Sequence, residues 1–350
     1  YWKGTLQEYC KLYDYSAEAV KRAFPAARIG GPEVTGGGAK YLDTFLHHCF
    51  YDTNYVTGKI GSPLDLVSFH AKGSPKVVND IVVMGIRNQL DNITENFKVI
   101  ASYPQLKNIP VIIGESDPEG CAACGMATHP ANAYRNGTMY SSYEAAVFAR
   151  VTELAKKFAI NLIGAVTWAF EFEDQPWFYG YRDLATNGVD KPVLNVFRMF
   201  GMMKGKSVYA TSDHQYSLQD IIDAGVRKPQ NDVGVVAAKT DSSATIMIWN
   251  YHDVDKKDKT AHVAMNITGI SAANVRITEY RIDEDHSNAY TLWKKMGAPQ
   301  KPTAAQITVL EKAGRLQKMG SAKSFTIRNG EVSLSINLPE QAVSLLKLSW

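Results

Sequence analysis

The sequence contains no run of about 18 apolar residues, so no transmembrane helix is predicted. Its first residues also lack the positive segment followed by an apolar one that is typical of a secretory signal peptide. The 38 basic and 35 acidic residues nearly cancel, and no cluster of Lys or Arg stands out. This balance excludes the basic surface of a nucleic-acid-binding protein, so we expect a neutral partner.

Cysteine is also scarce, with four residues in the chain and one Cys-x-x-Cys pair, Cys121 and Cys124. Zinc usually takes four ligands and no second pair is present, so no metal site is predicted. The pair is compatible with a local disulfide or with two free thiols. The glycine run at 36–38 lacks the Lys-Ser/Thr of a phosphate loop, and we expect no cofactor.

A large core is what the sequence does provide, because 45% of its 350 residues are hydrophobic. At about 150 residues per domain, this length favours two domains. The 18 Tyr and 6 Trp offer flat surfaces with a polar handle, which stack well on sugar rings. The alternative is that most of these aromatic residues belong to the core.

Apolar strands and amphipathic helices alternate through residues 1–205, which indicates βα units around a parallel sheet. The predicted strands are Arg28–Pro32, which runs into a loop, Leu64–His70, Pro110–Gly114 and Asn161–Phe170. The predicted helices are Leu6–Phe24, Tyr41–Tyr51, Val77–Tyr103, Ser142–Phe158 and Pro192–Met203. Residues 206–350 contain seven runs typical of strands separated by turns. We interpret this second segment as an all-β domain, a sandwich.

Polar residues follow several of the predicted strands, at His70, Glu115, Trp168, Glu171 and Glu173. In a (β/α)8 barrel the C-terminal ends of the strands form the active site, so these side chains are expected to converge. Glu115 directly follows an apolar strand and could attack an anomeric carbon as a nucleophile. The alternative is that its carboxylate caps the following loop.

Seven stretches of the chain together carry a family resemblance. They are Tyr1-Trp2-Lys3-Gly4-Thr5, Pro25 to Pro32, Asp65 to Gly73, Ile112-Ile113-Gly114-Glu115-Ser116-Asp117-Pro118, Trp168-Ala169-Phe170 with Phe172-Glu173-Asp174, Asn187 to Pro192, and Ile248-Trp249-Asn250-Tyr251. They resemble glycoside hydrolase family 39, which contains β-xylosidases and α-L-iduronidases. The resemblance implies α/β architecture: the second half of a (β/α)8 TIM barrel, followed by a β-sandwich.

The resemblance implies that Glu115 is the catalytic nucleophile and that Trp168, Glu173 and Asp174 hold sugar hydroxyls. His70 is a further candidate for substrate binding because a neutral imidazole both donates and accepts hydrogen bonds. Lys72 would neutralise the carboxylate of a uronic acid. Each of three residues also has a structural interpretation. His70 could be hydrogen-bonded only to its neighbours, Trp168 could belong to the core, and Lys72 could be solvated.

One expected element is missing. The family's acid/base is the Glu of an Asn-Glu-Pro sequence, and no Asn-Glu-Pro occurs in these 350 residues. Since the chain starts at Tyr1 without Met, we expect this Glu immediately upstream and the chain alone to be inactive or nearly so. Retaining hydrolysis needs two carboxyl groups, and neither Glu119 nor Glu173 is a confident replacement.

A half-barrel would expose sheet edges, so we expect a homo-oligomer or a bound upstream fragment to cover them. The predicted activity is that of a retaining glycosidase that releases xylose from an oligosaccharide, outside the cell or in the periplasm. The alternatives are a glycosidase for a uronic acid or arabinose-type sugar, and a non-catalytic carbohydrate-binding or assembly protein. No nucleic acid or membrane partner is expected.

Overall fold

The computed structural model describes residues 2–168, 172–255 and 259–350, in two compact units. The first unit contains residues 2–73, 88–117 and 150–168, and the second contains the other described residues. The described helices are α1 (Leu6–Ala23), α2 (Ala39–Tyr51), α3 (Ile86–Ala101), α4 (Thr138–Lys157), α5 (Pro192–Met202), α6 (Leu218–Ala224), α7 (Ala289–Lys295) and α8 (Ala304–Gly314).

The described strands are β1 (Gly30–Val34), β2 (Leu66–Lys72), β3 (Lys76–Val78), β4 (Ile81–Val83), β5 (Val111–Asp117), β6 (Leu162–Ala165), β7 (Ala185–Thr186), β8 (Val189–Asp190), β9 (Lys206–Val208), β10 (Asp232–Lys239), β11 (Ser243–Tyr251), β12 (Ala261–Thr268), β13 (Asn274–Ile282), β14 (Gln317–Lys318), β15 (Lys323–Thr326), β16 (Glu331–Leu338) and β17 (Val343–Ser349).

The first unit is built on a four-stranded parallel sheet in the order β1-β2-β5-β6. Helix α2 follows β1, α3 follows β2 and α4 follows β5, so each pair of adjacent strands is connected through a helix. Parallel strands require such crossovers. All four C-terminal strand ends therefore lie at one edge of the sheet.

The core of this unit follows from helical and strand periodicity. On α2, Leu42, Phe45 and Leu46 recur at the three- and four-residue spacing of one helix face, and all three are fully buried. On β2, Val67 and Phe69 alternate with more polar neighbours and are also fully buried. These residues pack the sheet against its helices and fix where each strand ends.

The predicted helix Val77–Tyr103 is wrong at its start. Its first residues form the hairpin of β3 and β4, and α3 begins only at Ile86. The two turn residues, Asn79 and Asp80, both have positive φ, 50° and 61°. Asn and Asp tolerate this conformation, which the right-handed twist of a two-residue hairpin requires.

The second unit is mainly antiparallel. Its large sheet has seven strands, ordered β14-β13-β17-β11-β10-β9 with β15 also pairing with β13. Strands β12 and β16 form a separate antiparallel pair. Apolar residues from both sheets share one buried cluster, in which Ile248 on β11 and Leu346 on β17 lie with Ile336 on β16.

These sheets confirm the predicted mixed α/β composition. The first sheet is not a closed barrel within the described residues. Its interpretation as half of a barrel, the sandwich arrangement and the domain boundary at 205/206 stay predictions. The prediction that residues 206–350 are all-β is wrong, because α6, α7 and α8 lie in this segment. No helix in the described ranges is long and apolar enough to cross a membrane.

Candidate active site

The C-terminal ends of β1, β2 and β5 bring five ionisable side chains together. They are Glu33 from β1, His70 and Lys72 from β2, and Glu115 and Asp117 from β5. We call these five residues the strand-end cluster. Of the side chains predicted to converge, His70 and Glu115 meet here, and Lys72, predicted separately to bind substrate, lies with them. Glu33 and Asp117 were not among the predicted site residues.

Glu115 contacts both basic side chains of the cluster. Its Oε2 lies 2.6 Å from Nζ of Lys72 and 3.5 Å from Nδ1 of His70. Its side chain is 23% exposed, so the carboxylate is held by protein groups and still reaches solvent. A carboxylate that is fixed in place and open on one side can accept hydrogen bonds or act as a nucleophile.

Lys72 lies between two carboxylates. Its Nζ also donates to Asp117, which is fully buried and accepts a further hydrogen bond from the Thr167 hydroxyl. A buried ion is tolerated only when its desolvation is offset by close opposite charge and hydrogen bonds. The ammonium of Lys72, 15% exposed, is thus engaged within the protein rather than solvated.

His70 connects the two outer carboxylates of the cluster. Its Nε2 lies 3.0 Å from Oε2 of Glu33, and its other ring nitrogen faces Glu115. Burial raises the pKa of Glu33, but hydrogen bonds from His70 and Ser68 outweigh burial and hold that pKa below its ordinary value. Glu33 is therefore a charged acceptor at neutral pH.

Trp168 follows β6 and is 53% exposed, so it is not a core residue within the described chain. An exposed indole is suited to stacking on a sugar ring. Its neighbour Thr167 donates to Asp117, which ties this segment to the strand-end cluster. Ala169 and Phe170, which belong to the stretch that resembles the family, and the predicted site residue Glu171 lie outside the described residues.

Glu173 and Asp174 belong to the second unit, where both are exposed in a turn and Asp174 has a φ of 54°. Their predicted role in substrate binding stays a prediction. Phe172 beside them packs edge-on against Tyr181, with ring centroids 5.0 Å apart.

Glu119, in the loop after β5, is committed to structural contacts. Its carboxylate accepts from the backbone of Cys121 at 2.6 Å and lies 3.2 Å from Arg135 and 3.4 Å from Arg182. Cys121 and Cys124 form a disulfide, which decides between the two alternatives left open by the sequence. These contacts hold the Glu119 carboxylate within its own loop, where it serves the local structure.

Sequence alone did not identify Glu33 because the predicted short strand at 28–32 runs into a loop at that point, whereas β1 spans Gly30–Val34 and includes Glu33. Asp117 lies on β5 two residues after Glu115, within the Ile112–Pro118 stretch that carries the family resemblance. Alternation along a strand places both side chains on the same face, and this was the available signal.

The sequence matches the family model for glycosyl hydrolases family 39 over residues 1–331. It is 23% identical to a β-xylosidase of Geobacillus stearothermophilus, covering 99% of this chain and 63% of the relative. It is 24% identical to an α-L-iduronidase of Mus musculus, covering 86% of this chain and 48% of that protein. The chain thus spans about half to two thirds of these relatives.

Solved structures give the same result for the fold. A bacterial orthologue of human α-L-iduronidase superimposes with a TM-score of 0.78 at 16% identity, covering 99% of this chain and 59% of the other. A monomeric β-xylosidase from Caulobacter crescentus gives a TM-score of 0.72 at 18% identity, covering 99% and 66%. On the extent of the family match, this chain belongs to glycosyl hydrolases family 39.

Proposed function

We propose that this chain carries the nucleophile side of a retaining glycosidase active site, with Glu115 as the nucleophile. The observation that carries the proposal is the position of Glu115 at the end of β5, held by Lys72 and His70 yet open to solvent. The family membership and the β-xylosidases among its relatives support the same reaction class.

In this mechanism an oxygen of Glu115 attacks the anomeric carbon and forms a glycosyl ester as the bond to the leaving oxygen breaks. The leaving oxygen takes a proton from a second carboxylic acid. Water, deprotonated by that same group, then attacks the anomeric carbon and releases the sugar and the Glu115 carboxylate. Lys72 and His70 would stabilise the negative charge of Glu115 before attack and after release.

The second carboxylate must lie about 5 to 5.5 Å from the first in a retaining enzyme. The lowered pKa of Glu33 makes it a poor proton donor, and the carboxylate of Glu119 is engaged by two arginines and a backbone amide of its loop. We therefore propose that the acid/base belongs to a segment outside these 350 residues, and that this chain alone hydrolyses unactivated glycosides poorly. Residues 1–205 would then form the second half of a barrel and residues 206–350 an accessory sandwich.

A neutral pentose, xylose, is the favoured sugar. The charge of Lys72 is already countered by Glu115 and Asp117, which leaves little net positive charge for a substrate carboxylate. The iduronidases among the relatives support the second candidate, a uronic acid, for which Lys72 would exchange a partner for the substrate. The exposed Trp168 would stack on either sugar. Because such oligosaccharides occur outside cells, we propose a secreted or periplasmic protein.

The test is covalent labelling with a dinitrophenyl β-xyloside that carries fluorine in place of its 2-hydroxyl. Its leaving group departs without a proton, so the first step is measured even if the acid/base is absent. We expect a mass increase of one fluoroxylosyl group on the peptide containing Glu115. Glu115→Gln should not be labelled, whereas Glu95→Gln, which changes an exposed carboxylate on α3, should be labelled like the wild type.

Label on any other carboxylate would contradict the assignment of the nucleophile. Labelling only by the corresponding fluoro-uronide would favour the uronic acid over xylose. Binding of xylo-oligosaccharides by calorimetry without labelling by either reagent would support the non-catalytic carbohydrate-binding alternative.

A further inference from the structure

Glu33 is placed by an irregularity in the sheet. Pro32 pairs with Ser68 and Val34 with Phe69, so the register between β1 and β2 skips Glu33. Such bulges redirect a side chain, and they are common beside active sites.

A second bulge lies on the other side of β2. Phe69 pairs with Ile113 and His70 with Glu115, so the register skips Gly114. The two bulges flank β2 and direct Glu33 and Glu115 toward the same residue, His70, from opposite sides. The carboxylates of Glu33 and Glu115 therefore contact the two ring nitrogens of the same imidazole.

The local backbone is adapted to this position of Glu33. The residue has a φ of 55°, a left-handed conformation that is unfavourable for a residue with a side chain. A Cβ on Gly114 would overlap the Glu33 carboxylate, so the glycine leaves room for it. A glycine at position 33 would remove the backbone strain, and the protein has a glutamate there instead.

The contacts indicate what Glu33 does. Its carboxylate accepts hydrogen bonds from His70 and Ser68, and it is nearly half exposed, at 47% of its side chain. An ionised carboxylate bound to a ring nitrogen fixes the orientation of an imidazole, as in other carboxylate–histidine pairs. The opposite ring nitrogen, Nδ1, is thereby aimed at Glu115.

We propose that Glu33 is a positioning residue that orients His70 and, through His70, the carboxylate of Glu115. The proposal rests on the proposed role of Glu115 as nucleophile. When Glu115 becomes a neutral ester, His70 loses a charged partner on one side, and Glu33 keeps the ring in place until the carboxylate returns. Glu33 itself need not contact the reacting atoms.

The experiment compares wild type with Glu33→Gly and Glu33→Gln in two assays. The first needs no activity: His70 is modified with diethyl pyrocarbonate and quantified by peptide mapping, with His262, exposed on β12 of the second unit, as the internal control. The second is the rate of labelling at Glu115 by the fluoro-xyloside. Thermal melting is measured for each variant.

In Glu33→Gly, modification of His70 should rise and labelling of Glu115 should fall, each by about tenfold, which is typical of losing one charge-assisted hydrogen bond. The rate at His262 should not change, and the melting temperature should equal or exceed that of wild type because the backbone strain is removed. Glu33→Gln keeps an acceptor oxygen without the charge and should give intermediate values.

A Glu33→Gly variant with wild-type rates at both His70 and Glu115 would overturn the proposal, since a purely structural residue gives that result. Faster modification of His70 with an unchanged labelling rate would also overturn it, because Glu33 would then orient His70 without consequence for Glu115. If wild type is not labelled at Glu115 at all, the proposed nucleophile is wrong and the coupling from Glu33 to Glu115 is overturned with it. In that case the rate of His70 modification in Glu33→Gly still shows whether Glu33 holds His70, because this assay does not depend on Glu115.

Discussion

At the scale of single residues, the strand-end cluster is short of positive charge. Three carboxylates, Glu33, Glu115 and Asp117, are in contact with one lysine and one histidine. Asp117 is fully buried and pairs with the ammonium of Lys72. Lys72 therefore pairs with a buried carboxyl group, which affects stability, and also contacts the candidate nucleophile Glu115.

We predict that Lys72→Met lowers the free energy of unfolding by about 3 kcal/mol, because it leaves the buried carboxylate of Asp117 without its ammonium partner. Urea denaturation would measure this. Adding Asp117→Asn should recover part of the loss, since the uncompensated charge is then removed. If the losses in free energy of unfolding from Lys72→Met and Asp117→Asn add in the double variant, the two residues are not coupled and the prediction is contradicted.

A second residue-scale prediction concerns pH. Burial raises the pKa of Asp253 to about 6, although the hydroxyl of Tyr251 and the guanidinium of Arg227 donate to it. The folded state thus holds this proton more tightly than the unfolded chain, in which the pKa is near 3.8. Its stabilising contribution is complete below about pH 4 and is lost as the pH rises through about 6.

We predict that the free energy of unfolding of wild type, relative to Asp253→Asn, falls by up to about 3 kcal/mol between pH 4 and pH 7, because about two pKa units separate the folded and unfolded states. Denaturation curves of both proteins across this range would measure the change. A difference between the two proteins that is constant with pH would exclude Asp253 as its source.

At the scale of elements, the N-terminus of helix α1 is closed by specific hydrogen bonds. Helix α1 begins with a capping box, in which the Thr5 hydroxyl accepts from the backbone of Glu8 and the Glu8 carboxylate accepts from the backbone of Thr5 at 2.7 Å. Both bonds satisfy backbone groups that the first helical turn cannot pair internally.

We predict that Thr5→Ala lowers the free energy of unfolding by about 1 kcal/mol, the typical cost of losing an N-cap side chain. Thr44→Ala provides a matched control, because Thr44 lies exposed inside α2 and Ala is a better helix former there. Equal destabilisation by the two substitutions in chemical denaturation would argue against a specific role for the cap.

At the scale of the whole molecule, the sheet of the first unit has two outer strands. Within the described residues, β1 pairs only with β2, and β6 pairs only with β5. On and just after β6, Ile163 and Val166 are 55% and 49% exposed. Unpaired edges with exposed apolar side chains favour association with another chain.

We predict that the 350-residue chain self-associates through this edge and that Ile163→Lys shifts it toward monomer in sedimentation velocity experiments, because a charged side chain on an edge strand disfavours pairing. Val309→Lys, at an equally exposed apolar position on α8 of the second unit, should leave the distribution unchanged. A monomeric wild type at micromolar concentration would contradict the prediction.

The sequence by itself determined the main helices and parallel strands of residues 1–205, and that Glu115 follows an apolar strand segment; the strand itself continues to Asp117. These features are local, because periodicities of two and 3.6 residues and the chemistry of turns are written in neighbouring positions. The misplaced start of α3 shows the limit, since Val77 and Val78 fit either pattern and the Asn-Asp turn decided for a hairpin.

Only the tertiary structure decided that Glu33 and Asp117 belong to the candidate site. Glu33 reaches His70 because β1 pairs in parallel with β2 and a bulge turns its side chain, and pairing and bulges depend on contacts between distant segments. Asp117 finds a partner for its buried carboxyl group because Lys72 arrives from the adjacent strand. The composition of the cluster was therefore fixed by which strands became neighbours, and the local alternation along β5 could indicate only that Asp117 lies on the same face as Glu115.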